Sequence, residues 1–123
     1  MLQENQLVKV RSIIEKTYKD SCNIYGYKKK IIDYETVIEK VLIYENIPCR
    51  LSYKMTSSVV NNDKYNVPVQ IIKLFISPNI DIKKGSKLVI LHNGKEKEYK
   101  RSSEPAIYET HQEIILEIDE EVV

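Results

Sequence analysis

The side chains with the most chemical reach are two imidazoles, two thiols and an acidic run near the end of the sequence. His92 closes the run LVILH just before Asn93-Gly94, and His111 lies in YETHQE. Either could approach a carboxylate, but nucleophilic catalysis also needs a Ser or Cys tied to the imidazole by a recognisable pattern, and none is present. Metal ligation needs further His, Cys or carboxylate ligands at suitable spacing, and the sequence has no such signature. Both histidines read as structural or surface residues. The run EIDEE, from Glu117 to Glu121, offers oxygen ligands without the Asp/Asn/Gly spacing of a calcium loop. It reads as a solvated terminal strand or an interface. Cys22 and Cys49 form no CxxC pair and fall on inward-looking strand positions, so they are expected as buried free thiols.

Nucleotide binding fails on spacing. KKGSK resembles the end of a P-loop, yet the motif needs an earlier Gly and an unbroken Gly-Lys-Ser/Thr so that backbone amides wrap the phosphates. The three glycines, Gly26, Gly85 and Gly94, do not meet that pattern. Gly85 reads as a turn residue. No catalytic group, metal site or cofactor is expected, and the protein is read as a non-enzyme.

The elements that carry these residues are mostly strands. Residues 3–16 place Leu7, Val10, Ile13 and Ile14 at helical spacing with charges between them, an amphipathic helix expected to dock on the body of its own chain in preference to reaching a neighbour. From Ser21 the period drops to two, and the run Lys28, Lys29, Lys30 marks the expected strand end. Thr36 to Tyr44 is apolar on both faces and should be covered on both sides, by the helix or by a neighbouring subunit. After a short break at Glu45-Asn46, Ile47, Cys49, Leu51 and Tyr53 alternate cleanly with polar residues. Residues 56–68, TSSVVNNDKYNVP, keep no period and read as an extended loop. Val69 to Ile76, Lys87 to Leu91, Lys97 to Arg101, Ala106 to Tyr108 and Gln112 to Ile118 follow as strands, with Asn93-Gly94 as a type I′ hairpin turn. One helix and six to eight short strands predict a mainly β single domain. The expected fold is a small antiparallel β-barrel or sandwich over 21–118, with the long loop between early strands.

At 123 residues the chain is long enough to bury a core. Nine Tyr, one Phe and no Trp, together with many Ile and Val, favour β-structure. Nineteen basic and eighteen acidic residues leave a net charge of +1, so affinity for nucleic acid or anionic membrane must be local. The charges are polarised. Lys28, Lys29, Lys30, Lys83, Lys84, Lys97 and Arg101 are basic, while Glu117, Asp119 and Glu120 are acidic; these are candidate inter-subunit or partner surfaces, suited to head-to-tail contact. Lys97, Lys100 and Arg101 around Tyr99 leave open a monomeric barrel that binds single-stranded nucleic acid. No run reaches the roughly 20 apolar residues of a membrane span and the start has no signal-peptide core, so a cytoplasmic protein with no membrane partner is expected.

Taken together, IEKTYKDSCNIYGYKK, IPCRLSYK, KLFISPNIDIKKGSKLVI and SSEPAIYETHQEIILE resemble a family of small phage and prophage proteins of Gram-positive hosts, the head closure or head–tail connector proteins, also called stoppers. The resemblance runs from about Ile13 to Ile118. It implies a small β-barrel that assembles as a homo-oligomeric ring in the virion neck, between the portal or head adaptor and the tail terminator or tail tube. It also implies a loop that projects toward the channel and helps to hold packaged double-stranded DNA. The matching residues are Ser57, Ser58, Val59, Val60, Asn61, Asn62, Asp63, Lys64 and Tyr65. Assembly would take place in the host cytoplasm. The collar or terminator-like ring of a phage-tail-like bacteriocin fits the same resemblance.

Overall fold

The computed structural model describes residues 3–59 and 66–119. Helix α1 (Glu4–Glu15) is followed by strands β1 (Asp20–Ile32), β2 (Glu35–Val59), β3 (Asn66–Ile76), β4 (Lys87–His92), β5 (Lys95–Arg101), β6 (Ala106–Ile107) and β7 (Gln112–Ile118). Every pairing is antiparallel. The sheet order is β3-β2-β1-β4-β5-β7-β6, and a further pairing of β3 with β7 closes it on itself, with β6 outside the ring. The expected fold class is therefore the observed one: mainly β, barrel-like, with a single N-terminal helix among the described residues.

Closure follows from the alternation of side chains. Period-2 runs send Cys22 and Ile24, Cys49 and Leu51, Ile72, Leu74 and Ile76, Leu88 and Ile90, Tyr99, and Ile114 and Leu116 to one side, where all are buried. A sheet with one apolar face of that width hides it by curling around it. The 77–86 connection covers one end of this core with Ile82. Its backbone is pinned by the buried Gln112 amide, which donates to the carbonyls of Ser77 and Ile80, and by Arg101, whose Nη1 donates to Ile82 O at 2.9 Å. Near the other end the buried Asp20 carboxylate accepts from Leu51 N at 2.8 Å and lies 2.9 Å from His92 Nδ1. Cys22 and Cys49 are buried free thiols, as expected.

Several elements run further than the sequence predicts. The lysine run does not end β1, which continues through Ile31 and Ile32 to a two-residue turn at Asp33-Tyr34. Both turn residues have positive φ, 52° and 66°, the twist that a type I′ hairpin needs. Nor does Glu45-Asn46 break β2, because a register shift absorbs the irregularity: Asn46 takes φ 52° and its N–H donates to Asn23 Oδ1 at 2.8 Å. Residues 56–59 and 66–68 are strand, paired from Thr56↔Val69 to Val59↔Asn66, so the predicted extended loop narrows at both ends. The helix docks only loosely on the body: Leu7, Val10, Arg11 and Ile14 are half-buried along one face. No helix residue is buried, Ile13 is 64% exposed, and Arg11 Nε donates to Glu109 O at 2.7 Å.

The result is a closed body with two ribbon arms. Strand β4 borders β1 only from Ser21 to Tyr25, and β3 borders β2 only from Cys49 onward. Between those limits β1 and β2 pair with each other alone, as a first arm over residues 26–43. Past Ile72, β3 has parted from β7, and β2 has likewise left β1, so these two strands form a second arm. Strand β2, 25 residues long, belongs to both arms and to the body between them. Because the first arm leaves by the C-terminal end of β1 and the second by the N-terminal end of β3, they depart from opposite ends of the body.

Candidate assembly surfaces

The first arm carries the two most exposed large apolar residues among those described, Tyr34 and Ile31, and several others. Ile31 is 76%, Ile38 65%, Ile43 52% and Tyr34 fully exposed. Among the described residues nothing supplies the predicted cover over Thr36 to Tyr44. Neither the helix nor any described strand lies on it, and Val37 and Leu42 are exposed as well. Lys28, Lys29 and Lys30 stand exposed on the same arm.

At the base of this arm the structure gathers three of the predicted basic residues. Lys28 meets Lys83 and Lys84 in a cleft of about 500 Å³ floored by Ile24, Ile43 and Tyr44. A Cβ at Gly26 would sit 3.0 Å from the exposed Ile43 side chain, which would have to give by a few tenths of an ångström to admit it. Gly85 turns the chain with φ 88°.

The remaining predicted residues divide. Lys97 lines an open mouth at the other end of the body with Lys95, His92 and Tyr53. Arg101 is not a free surface cation, since it holds the Ile82 carbonyl and lies 3.6 Å from Glu104. Lys100 faces Glu117 at 3.7 Å, and Asp119 lies 3.8 Å from the buried ammonium of Lys87. That leaves little of the Lys97, Lys100, Arg101 patch available for phosphates. Ser57, Ser58 and Val59 belong to β2 in the second arm, with Ser57 exposed opposite Pro68. Val60, Asn61, Asn62, Asp63, Lys64, Tyr65 and Glu120 lie outside the described residues.

Both histidines have carboxylate partners. His111 Nε2 is 2.9 Å from Glu113 Oε2, and its ring stacks on Tyr108 with 4.9 Å between centroids. The hydrogen bond from His111, then that from Lys73 at 3.1 Å, holds the Glu113 carboxyl below its usual range. His92 meets Asp20 and stands edge-on to Tyr53. The Tyr53 and Tyr99 hydroxyls share a 2.7 Å hydrogen bond, and burial first, then that bond, pushes the Tyr99 phenol up. The Cys22 thiol is pushed up by hydrogen bonding with Cys49 and by burial, which keeps it protonated and unreactive. Among the described residues no group of three or more His, Cys, Asp or Glu could hold a metal ion.

Sequence reasoning missed the strand stub Ile31-Ile32 beyond the lysines and the buried Lys87. The signal for the first was present, since Asp33-Tyr34 separates two β-rich runs by two residues. Lys87 had none, because its burial depends on Glu98 and Asp119 arriving from two other segments.

The class is thus a ring-closed antiparallel β-protein with a ribbon arm at each end. In fold it is similar to the phage-like element PBSX protein xkdH from Bacillus subtilis, with a TM-score of 0.53 at 15% sequence identity over 84% of this chain and 96% of that one. No protein-family model matches the chain, and no curated protein matches its sequence. Among the described residues no helix is long and apolar enough to cross a membrane.

Proposed function

We propose that this chain is a non-enzymatic structural protein of a phage or prophage, a head closure or head–tail connector subunit. In this reading copies assemble into a ring between the portal or head adaptor and the tail, and the ring helps to retain packaged DNA. One observation carries it: a closed body, of a fold shared with a prophage protein, that extends an arm from each end. An enzyme keeps its working groups in a cleft of the body. Here much of the chain is spent on arms that stand clear of the closed body. A ring subunit needs two unlike surfaces, because a heterologous contact repeats until the rotation closes it. The second arm and the 60–65 segment that joins its strands are the proposed channel-facing element.

The test is negative-stain electron microscopy of an induced lysate from a strain lacking this reading frame. Separate tails beside emptied heads are expected. Normal tailed particles would remove the proposal. A lysate with defective headless tails and no heads in the parent strain would move it to the collar of a tail-like bacteriocin.

A further inference from the structure

The first arm is a two-stranded ribbon with both edges unpaired among the described residues. Past Tyr25, β1 has β2 as its neighbour and nothing on its other side; before Cys49 the same holds for β2. A lone ribbon is marginal in water, and a free edge is a template for another strand. The pairing register puts Ile31 and Ile38 on one face and Ile32 and Val37 on the other, all exposed. With Tyr34 exposed at its tip, the arm leaves large apolar side chains open to solvent on both faces, the kind of surface that marks an interaction site.

Charge decides what can pair with it. The β1 edge carries Lys28, Lys29 and Lys30, and the β2 edge carries Glu35 and Glu39. The register sets Lys28 opposite Glu39 within the arm, yet among the described residues none of these five enters an ion pair within the chain. Lys40, the one cation on the β2 edge, lies over the Tyr25 ring, 4.7 Å from its centroid. A twofold pairing of β1 with β1 would set the lysine row against itself, and β2 with β2 would oppose the glutamates; like charges directly opposite each other are destabilising. A β1 edge against a β2 edge places Lys against Glu. When arms stand side by side and point the same way, those two edges also run antiparallel, the sense already used throughout the sheet.

We infer that the β1 edge of the arm in one copy pairs with the β2 edge of the arm in the next, so that neighbouring arms form one continuous antiparallel sheet. The inference rests on the reading of this chain as a self-assembling structural protein and names the element that assembles it. Such a contact is heterologous, so it repeats around a ring. It brings the apolar flanks of adjacent ribbons together and leaves no arm two-stranded.

The experiment uses full-length protein in two charge-reversed forms. One has Lys28→Glu, Lys29→Glu and Lys30→Glu, which makes both edges acidic; the other has Glu35→Lys and Glu39→Lys, which makes both basic. Light scattering on a sizing column follows association across a concentration series. The wild type is expected to associate, and each variant alone to need at least tenfold more protein to do so. An equal mixture is expected to recover wild-type association, because each acidic edge then finds a basic one. A wild type that stays monomeric at every concentration, variants that associate normally, or a mixture that recovers nothing would each overturn the inference. Thermal melts check that the body stays folded; if a multiple variant does not fold, the single reversals Lys29→Glu and Glu39→Lys give the same test. Normal particles in the deletion strain would not alter the mixing result, so the two proposals fail separately.

Discussion

At the residue scale the polar contacts are mostly staples, and Glu113 is the most informative. Its carboxylate accepts from His111 and from Lys73, which lowers its pKa in the folded state. A lowered folded pKa contributes stability that is present above the unfolded value, near 4.3, and is lost as pH falls through the folded value. Glu113→Gln is therefore expected to cost about 1 kcal/mol near neutral pH. Its stability should also fall less steeply than that of the wild type as the pH drops below the ordinary carboxylate range. Urea unfolding at stepped pH checks both; parallel curves would show that the pair does no such work. The two histidines illustrate what types and spacing can convey. What was legible was the lack of a patterned nucleophile or metal ligand beside either one. That each would meet a carboxylate, and which one, was not: Asp20 reaches His92 across 72 positions, through the pairing of β1 with β4.

At the element scale the β1–β2 arm is governed by its turn. Asp33 and Tyr34 both sit at positive φ, a region that costs a side chain roughly 1 kcal/mol and a glycine almost nothing. Tyr34 is also fully exposed, so its removal forfeits no packing within the chain. Tyr34→Gly is expected to tighten the arm by about 0.5 to 1 kcal/mol. Amide hydrogen exchange in Ile31 to Val37 should slow several-fold, and faster exchange would mean that the turn is held by something other than backbone preference. Local rules found the Asn93-Gly94 turn because its residue types announce it. They missed Asp33-Tyr34 because Tyr is unusual there, and they took Asn46 for a break because a bulge and a strand end look alike along one strand. Only the partner strand, through Asn23, separates those two cases.

At the scale of the whole molecule, body and arm are separable. The buried core lies between Cys22 and Leu116 and takes nothing from residues 27–43. Replacing residues 28–39 by Asn-Gly, which joins Tyr27 to Lys40 where they are paired, is expected to leave a cooperative melt with Tm within a few degrees of the wild type. The same protein should lose self-association. A broad melt would show instead that the arm is part of the folding unit. The exposed helix belongs to this scale too. Its apolar stripe is real, but a stripe does not say which surface it meets, and its own barrel leaves Ile13 in solvent.

By itself the sequence determined what depends on neighbours along the chain: the alternation that makes strands, the helical stripe at the start, the inward thiols and the Asn93-Gly94 turn. These are set by side-chain direction and backbone preference, which act over a few residues. The tertiary structure decided how long β1 and β2 run, that β3 and β7 close the ring, and that an apolar two-faced strand stands uncovered. Each of those is a question of which distant backbone lies alongside, and pairing energy between remote segments is not written in the local pattern of either one.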